Sequence, residues 1–179
     1  MHKQDVLDFW FKETAKEQWF KKDDDFDETI RNRFGETVEA ALSGKLNEWA
    51  NDDDGALALI ITLDQFARNL FRDSPKAFAG DPLALKLTLA AIEDGYLDRN
   101  EIDHRYFLLM PMMHSEEIEI QDASLPLFKE HAPEMAYDYA VKHRDIIVKF
   151  GRYPHRNEVL GRSSTPEEIA FLKEPGSSF

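Results

Sequence analysis

The chain contains no cysteine, which removes disulfides, thiolate nucleophiles and cysteine-type zinc sites together. Long apolar runs are also missing. The longest largely apolar stretch, Ala56 to Leu63, covers 8 residues, far below the ~20 that span a bilayer. The opening MHKQDVLDFWF has no cationic region followed by an apolar one, so it does not read as a leader. Cations are scarce: 22 Lys and Arg face 35 Asp and Glu, a net charge of −13. That charge repels polyanions and argues against sequence-independent nucleic-acid binding. No basic amphipathic helix stands apart from the rest, which argues against binding at a membrane surface. Alternating β-branched runs bounded by turn pairs are absent as well. So are a Walker loop, a dinucleotide fingerprint, a HExxH helix and a Gly-x-Ser-x-Gly elbow, and no cofactor is expected.

What is there is a foldable, apolar-rich chain. Hydrophobic residues make up 42% and aromatics 12% of the 179 residues, enough for a sizeable core despite 32% charged residues. The length suits a single domain, expected over residues 1–175 with a short tail from Gly176 to Phe179. The expected compartment is the cytoplasm.

Helical spacing fills nearly all of it. Phe26, Ile30, Phe34, Val38 and the Ala41/Leu42 pair recur three and four apart, behind an acidic run at Asp23 to Asp25 that suits a helix N-terminus. A second helix is expected from Asp54-Gly55 to about Phe71, apolar on all sides in its first half and therefore central. Asp81-Pro82 reads as an Asp cap with Pro in the first turn, and Gly95 as the stop. Ile102 to Met113 is apolar and interrupted by Pro111, where a kink or break is expected. Ser115 is expected to cap a helix reaching Lys129, bent near Pro126. Pro133 opens another that Gly151 stops. Thr165-Pro166-Glu167-Glu168 combines a cap, a Pro and a capping-box Glu. The spacing predicts an all-α domain of about 8–10 helices in short antiparallel pairs, without sheet. No clean 34-residue repeat is present.

Two metal readings fail on spacing. With Gly55 at the sixth position of a calcium loop, Ala50 and Ile61 fall where oxygen ligands are required. Glu101 and His104 have the spacing of a di-iron motif, but its second copy is missing. His114, Glu116, Glu117 and His143 suffice in number for a divalent ion, but nothing in their spacing is diagnostic, and no metal is assigned.

Three polar constellations remain. Asp64, Gln65, Arg68 and Asn69 form one narrow stripe at the end of the central helix. They read either as a self-satisfied Asp64–Arg68 pair or as a pocket wall with Arg68 anchoring an anion. His114-Ser115-Glu116-Glu117 follows the Pro111 interruption and reads either as a helix cap or as acid/base chemistry, with Glu116 orienting His114. His143 shares a face with Ala136, Ala140 and Ile147, which suits a core histidine. The third is a basic island in an acidic chain. Lys142 to Arg162 holds six Lys and Arg against two Asp and Glu, and includes Arg152, His155, Arg156, Asn157 and Arg162. If Pro154 begins a helix, its first turn carries no acid before Glu158, which favours a bound anion between Arg152 and Arg156.

On these residues the chain resembles a bacterial family, the domain of unknown function numbered 924. The resemblance rests on Val6 to Phe11, Trp19-Phe20, Phe26-Asp27, Leu63 to Phe66 with Arg68-Asn69, Pro111, His114 to Glu116 and Gln121. It continues through His143, Phe150 to Asn157, Leu160 to Arg162 and Ser164 to Glu168. Ala67 stands where the family usually has Pro, and Tyr153 where it usually has Phe. The resemblance implies a tetratricopeptide-like stack of helices and supplies no chemistry.

Three functional readings follow. In the first, Arg68, Arg152 and Arg156 hold a small phosphate- or carboxylate-bearing ligand, with Asp64, Gln65, Asn69, His143, Asn157 and Arg162 around it. His114, Glu116 and His155 would then carry acid/base chemistry, a hydrolysis or transfer. In the second, a helical scaffold binds a peptide or partner protein on a concave face. In the third, the polar groups only stitch helix ends together. The sequence leans to the first as a binding pocket and leaves open whether it catalyses anything. Oligomeric state is not legible.

Overall fold

The computed structural model describes residues 1–178, and among these every regular element is helical, as the spacing predicts. The helices are α1 (Lys3–Asp8), α2 (Asp24–Leu42), α3 (Asp53–Ile61), α4 (Ala67–Leu70), α5 (Asp81–Glu93), α6 (Tyr96–Arg99), α7 (Ile102–His114), α8 (Ile118–His131), α9 (Glu134–Phe150) and α10 (Pro166–Phe171). No helix among the described residues is long and apolar enough to cross a membrane.

Helix α3 is central because its sequence is apolar all round: every residue from Gly55 to Ile61 is buried. It packs against α1, α5 and α7. Asp52 caps it, its carboxylate accepting from the Gly55 amide at 2.9 Å. α3 does not simply run on to Phe71. A π turn, Thr62–Phe66, joins it to α4, with the Ala67 amide donating to the Thr62 carbonyl. A second π turn, Phe9–Glu13, extends α1. Around these turns Phe9, Trp10, Phe26, Phe34, Phe66 and Phe107 pack ring against ring, with centroids 4.9–6.2 Å apart. Such contacts add to the burial of the rings themselves.

Several helix ends differ from expectation. Gly80, not Asp81, is the cap of α5, so Asp81 is its first residue and Pro82 its second. The reason is a close approach: a Cβ on Gly80 would sit 2.4 Å from the Leu63 carbonyl oxygen. Helix α7 runs through Pro111 to His114 without breaking there. Ser115 ends α7 rather than beginning α8; the cap of α8 is Glu117, whose amide donates to the Ser115 hydroxyl at 3.1 Å. Pro154 to Arg156 is a three-residue 3-10 turn, not a helix start, and the Arg156 and Asn157 amides are spent on the Tyr153 and Pro154 carbonyls. The expected anion site on free amides there is lost for that reason. The Thr165 capping box forms as predicted: Glu168 donates its amide to the Thr165 hydroxyl and accepts the Thr165 amide. Of the expected tail, Ser177 is buried and donates to the Leu172 carbonyl, and Phe179 lies outside the described residues.

Candidate functional site

The π turn places Asp64 and Gln65 at the point where α3 gives way to α4. Such turns recur at functional sites because they re-aim side chains. Asp64 is buried, and three groups meet it: the Gln65 amide at 2.6 Å, His114 Nδ1 at 2.7 Å, and Arg68, which binds both the carboxylate (2.9 Å) and the Asp64 carbonyl (2.6 Å). Burial opposes the charge of Asp64, but Arg68 and His114 outweigh it and hold the carboxyl well below its usual range. The carboxylate fixes the tautomer of His114: Nδ1 carries the proton and Nε2 the lone pair. Burial pushes the His114 pKa down.

Arg68 continues outward to Asp81, making the paired bonds of a guanidinium fork to both carboxylate oxygens at 3.0 Å. Asp81 also takes Arg156 Nη1, at a longer 3.4 Å. One carboxylate thus lies between two guanidinium groups. The ring of Phe78 is shared in the same way, 5.5 Å from Arg68 and 4.6 Å from Arg156, and Tyr153 lies 4.6 Å from Arg156 on its own account. Arg156 is only 7% exposed, and its buried Nε has no hydrogen-bond partner. Burial, and then the neighbouring Arg68, lower its pKa from the ordinary arginine value.

Three imidazoles close the cluster. His114 lies 6.2 Å from His143, His143 lies 5.8 Å from Tyr153, and Tyr153 lies 5.5 Å from His155, centroid to centroid. His143 Nδ1 donates to the Tyr139 carbonyl one turn back in α9. Burial, with His114 nearby, pushes His143 down to about 3; burial, with Arg156 nearby, pushes His155 down to about 4. All three are neutral at pH 7. The cluster reaches solvent at its rim, where the Arg68 and Asp81 side chains are each 20% exposed.

A second layer adjoins it, and its charged groups are paired with one another. Glu116 forks to Arg162 at 2.6 and 3.0 Å and accepts the Tyr153 amide at 2.8 Å. Arg162 also takes the Tyr153 carbonyl and Asn157 Oδ1. Arg152 forks to Glu168 at 2.7 and 2.9 Å, and Asn157 bonds Ser164 and Glu168. The Arg152 fork, together with the Thr165 amide, holds the Glu168 carboxyl down to about 2. Buried Gln121 places its amide nitrogen 2.7–2.8 Å from the Met113 and Ser115 carbonyls and the Tyr153 hydroxyl, and that hydroxyl donates to the Met113 carbonyl.

Residues 6–176 match the profile of a family described as bacterial protein of unknown function, DUF924. The chain belongs to that family. A solved structure, that of the protein of unknown function ATU0120 from Agrobacterium tumefaciens, is similar to it at 37% identity. The match covers 96% of each chain with a TM-score of 0.90. No curated protein matches.

In this DUF924 chain the predicted residues divide. Asp64, Gln65, Arg68, His114, His143, His155 and Arg156 come together, from the π turn and α4, α7, α9 and the 3-10 turn. Glu116, Arg152, Asn157 and Arg162 fall in the second layer, each with its own partner. The group that orients His114 is therefore Asp64, not Glu116. Asn69 points the other way, to Asp27 at 2.7 Å, where Arg72 also binds. Asp81, Phe78 and Tyr153 belong to the cluster and are missed by sequence reasoning. Reading Asp81 as a helix cap absorbed its charge, and an isolated Phe carries no signal of a cation above its ring. Two surface hollows, of about 490 and 400 Å³, lie elsewhere, beside Gly35 and Phe71 and beside Phe9 and Glu13. Among the described residues no three His, Asp or Glu come together as a metal site.

Proposed function

We propose that this chain binds a small anionic ligand, bearing a phosphate or carboxylate group, at the cluster of Arg68, Arg156, His114, His143 and His155. The observation that carries this reading is the state of Arg156: a buried guanidinium, its Nε without a partner, sharing one long bond to a carboxylate already forked to Arg68. A buried polar group left unsatisfied costs roughly 1–3 kcal/mol, more if charged, and a ligand that completes it recovers that cost. His114 is the group placed to exchange a proton with the ligand, since Asp64 holds its Nδ1 and leaves Nε2 as a base. Hydrolysis or transfer at the bound group is the chemistry this pair would serve. The helical stack and the second layer would serve as the frame.

A thermal-shift panel of phosphorylated metabolites and dicarboxylates at low salt tests the reading. A ligand present at a hundred times its Kd stabilises by about 2.7 kcal/mol, and for a chain this long each kcal/mol raises Tm by about 2–4 °C. Stabilisation by one member, lost in Arg156→Gln, is the expected result. If no member shifts the wild type, and Arg68→Gln and Arg156→Gln lose stability alone, the cluster is a structural network and the proposal falls.

A further inference from the structure

We infer that Asp81 is a tethered occupant of this anion site, and that the ligand which displaces it carries a phosphate monoester. The inference rests on the reading above. Asp81 is the first residue of α5, a 13-residue helix whose cap, Gly80, offers no side chain to the first-turn amides. A residue there normally turns its carboxylate toward its own helix end. Here the bonds it accepts come from Arg68 and Arg156 instead. It thereby sits where a bound anion would: between two guanidinium groups, at a helix N-terminus, over the shared ring of Phe78.

The fit is incomplete in a telling way. Asp81 satisfies the fork of Arg68 but reaches Arg156 with one oxygen at 3.4 Å, long for a charge-assisted bond, and leaves Arg156 Nε unbonded. A planar carboxylate has two oxygens; both accept from Arg68, and Arg156 shares one of them. A tetrahedral phosphate has a third, which can be set against the second guanidinium. Asp81 is also 20% exposed on its side chain, so it can leave toward solvent without crossing the core. Once it leaves, it remains at the favourable end of α5.

Tethering decides the ligand class. A carboxylate carried on the chain competes at millimolar effective concentration or above. A free monocarboxylate offers the arginines nothing that Asp81 does not already supply, so it cannot displace it. A phosphate monoester can, because it adds an acceptor oxygen that the unbonded Arg156 Nε lacks. Neutral His114 and His155 lie beside it without adding positive charge, so the cations that meet the ligand are the two arginines, of which Arg68 is also paired with the Asp64 carboxylate.

The test compares wild type with Asp81→Asn for thermal stabilisation by inorganic phosphate, by a simple alkyl phosphate and by formate. Removing the competitor is expected to tighten phosphate binding about tenfold or more, and to let formate bind, which it does not do in the wild type. Tighter alkyl phosphate than inorganic phosphate identifies the monoester as the ligand; the reverse order identifies free phosphate and overturns that part of the inference. Equal phosphate affinity in the two proteins overturns the role of Asp81 while leaving the anion site standing. No response in either, together with a silent metabolite panel, removes both. If Asp81→Asn does not fold, the arginine Nε signals of the wild type decide by NMR. Phosphate must shift the signal that Arg156→Lys removes, and formate must not; an unmoved signal, or one that formate moves as far, overturns the inference.

Discussion

At the residue scale the chain holds three histidines neutral beside two arginines, and this has a measurable cost in acid. His143 is 5% exposed and takes a proton only near pH 3 when folded, against an ordinary value of 6.5. Below pH 6.5 the unfolded chain therefore binds a proton that the folded chain refuses. Stability falls as pH falls through that window, by about 1.4 kcal/mol per unit for one such group. Asp64 adds to the loss only further into acid, below the ordinary carboxyl value of 3.8, where protonation in the unfolded chain competes with its partnership with Arg68. The wild type should lose Tm steadily between pH 7 and pH 5. His143→Asn, which keeps a donor for the Tyr139 carbonyl, should show a shallower slope by about one proton, read from denaturation midpoints across that range. An unchanged slope would assign the acid sensitivity to other groups. The arginines tell a different story of legibility. The sequence marks Arg68, Arg152, Arg156 and Arg162 alike as cations in an acidic chain, but only coordinates tell a paired one from an unsatisfied one. Arg152 and Arg162 each find a whole carboxylate, at Glu168 and Glu116; Arg156 is left a share of Asp81.

At the element scale the decisive feature is the contact of the π turn with the start of α5. The Leu63 carbonyl faces Gly80, and this contact fixes where Asp81 stands relative to Arg68. A methyl group at position 80 has no room, because its neighbour is backbone rather than a mobile side chain. Gly80→Ala should therefore cost about 1–3 kcal/mol, a Tm loss of several degrees in a thermal melt. It should also weaken any anion binding, because helix and π turn must part for the methyl to fit. Gly80→Ser should behave alike; a neutral outcome for both would show that the contact gives way. Helix content and most boundaries were readable because apolar spacing, caps and stop glycines agree, as at Asp23, Gly95, Gly151 and Thr165. The π turn was not readable: Thr62 to Phe66 has the apolar pattern of the helix before it, and the extra residue per turn leaves no mark in composition. The same holds for the continuation of α7 through Pro111, where burial among Leu108, Met110 and Met112 outweighs the missing donor.

At the scale of the whole molecule, the basic island serves two purposes in adjoining layers. Arg152, Arg162 and Asn157 lock the segment after α9 to α10 and, through Glu116, to the loop between α7 and α8. That lock holds His155 and Arg156 against a site whose acids and first arginine, Asp64, Arg68 and Asp81, all precede residue 115. The Arg152–Glu168 pair should show a small favourable coupling in a double-mutant cycle of Arg152→Ala and Glu168→Gln, small because Arg152 is partly exposed and screened. A coupling of zero would leave the capping box alone to hold α10. The need for this lock was legible as an excess of charge between Lys142 and Arg162, but its division into a structural and an open layer was not. The division depends on which acids, distant in sequence, arrive beside which guanidinium. The order in which the ribosome delivers these parts then acquires a meaning. A nascent chain ending before Tyr153 already owns Asp64, Arg68, Asp81 and His114, and can pair Arg68 with Asp81. The second guanidinium emerges after all of these, so the tension between two cations over one carboxylate begins only once Arg156 is delivered.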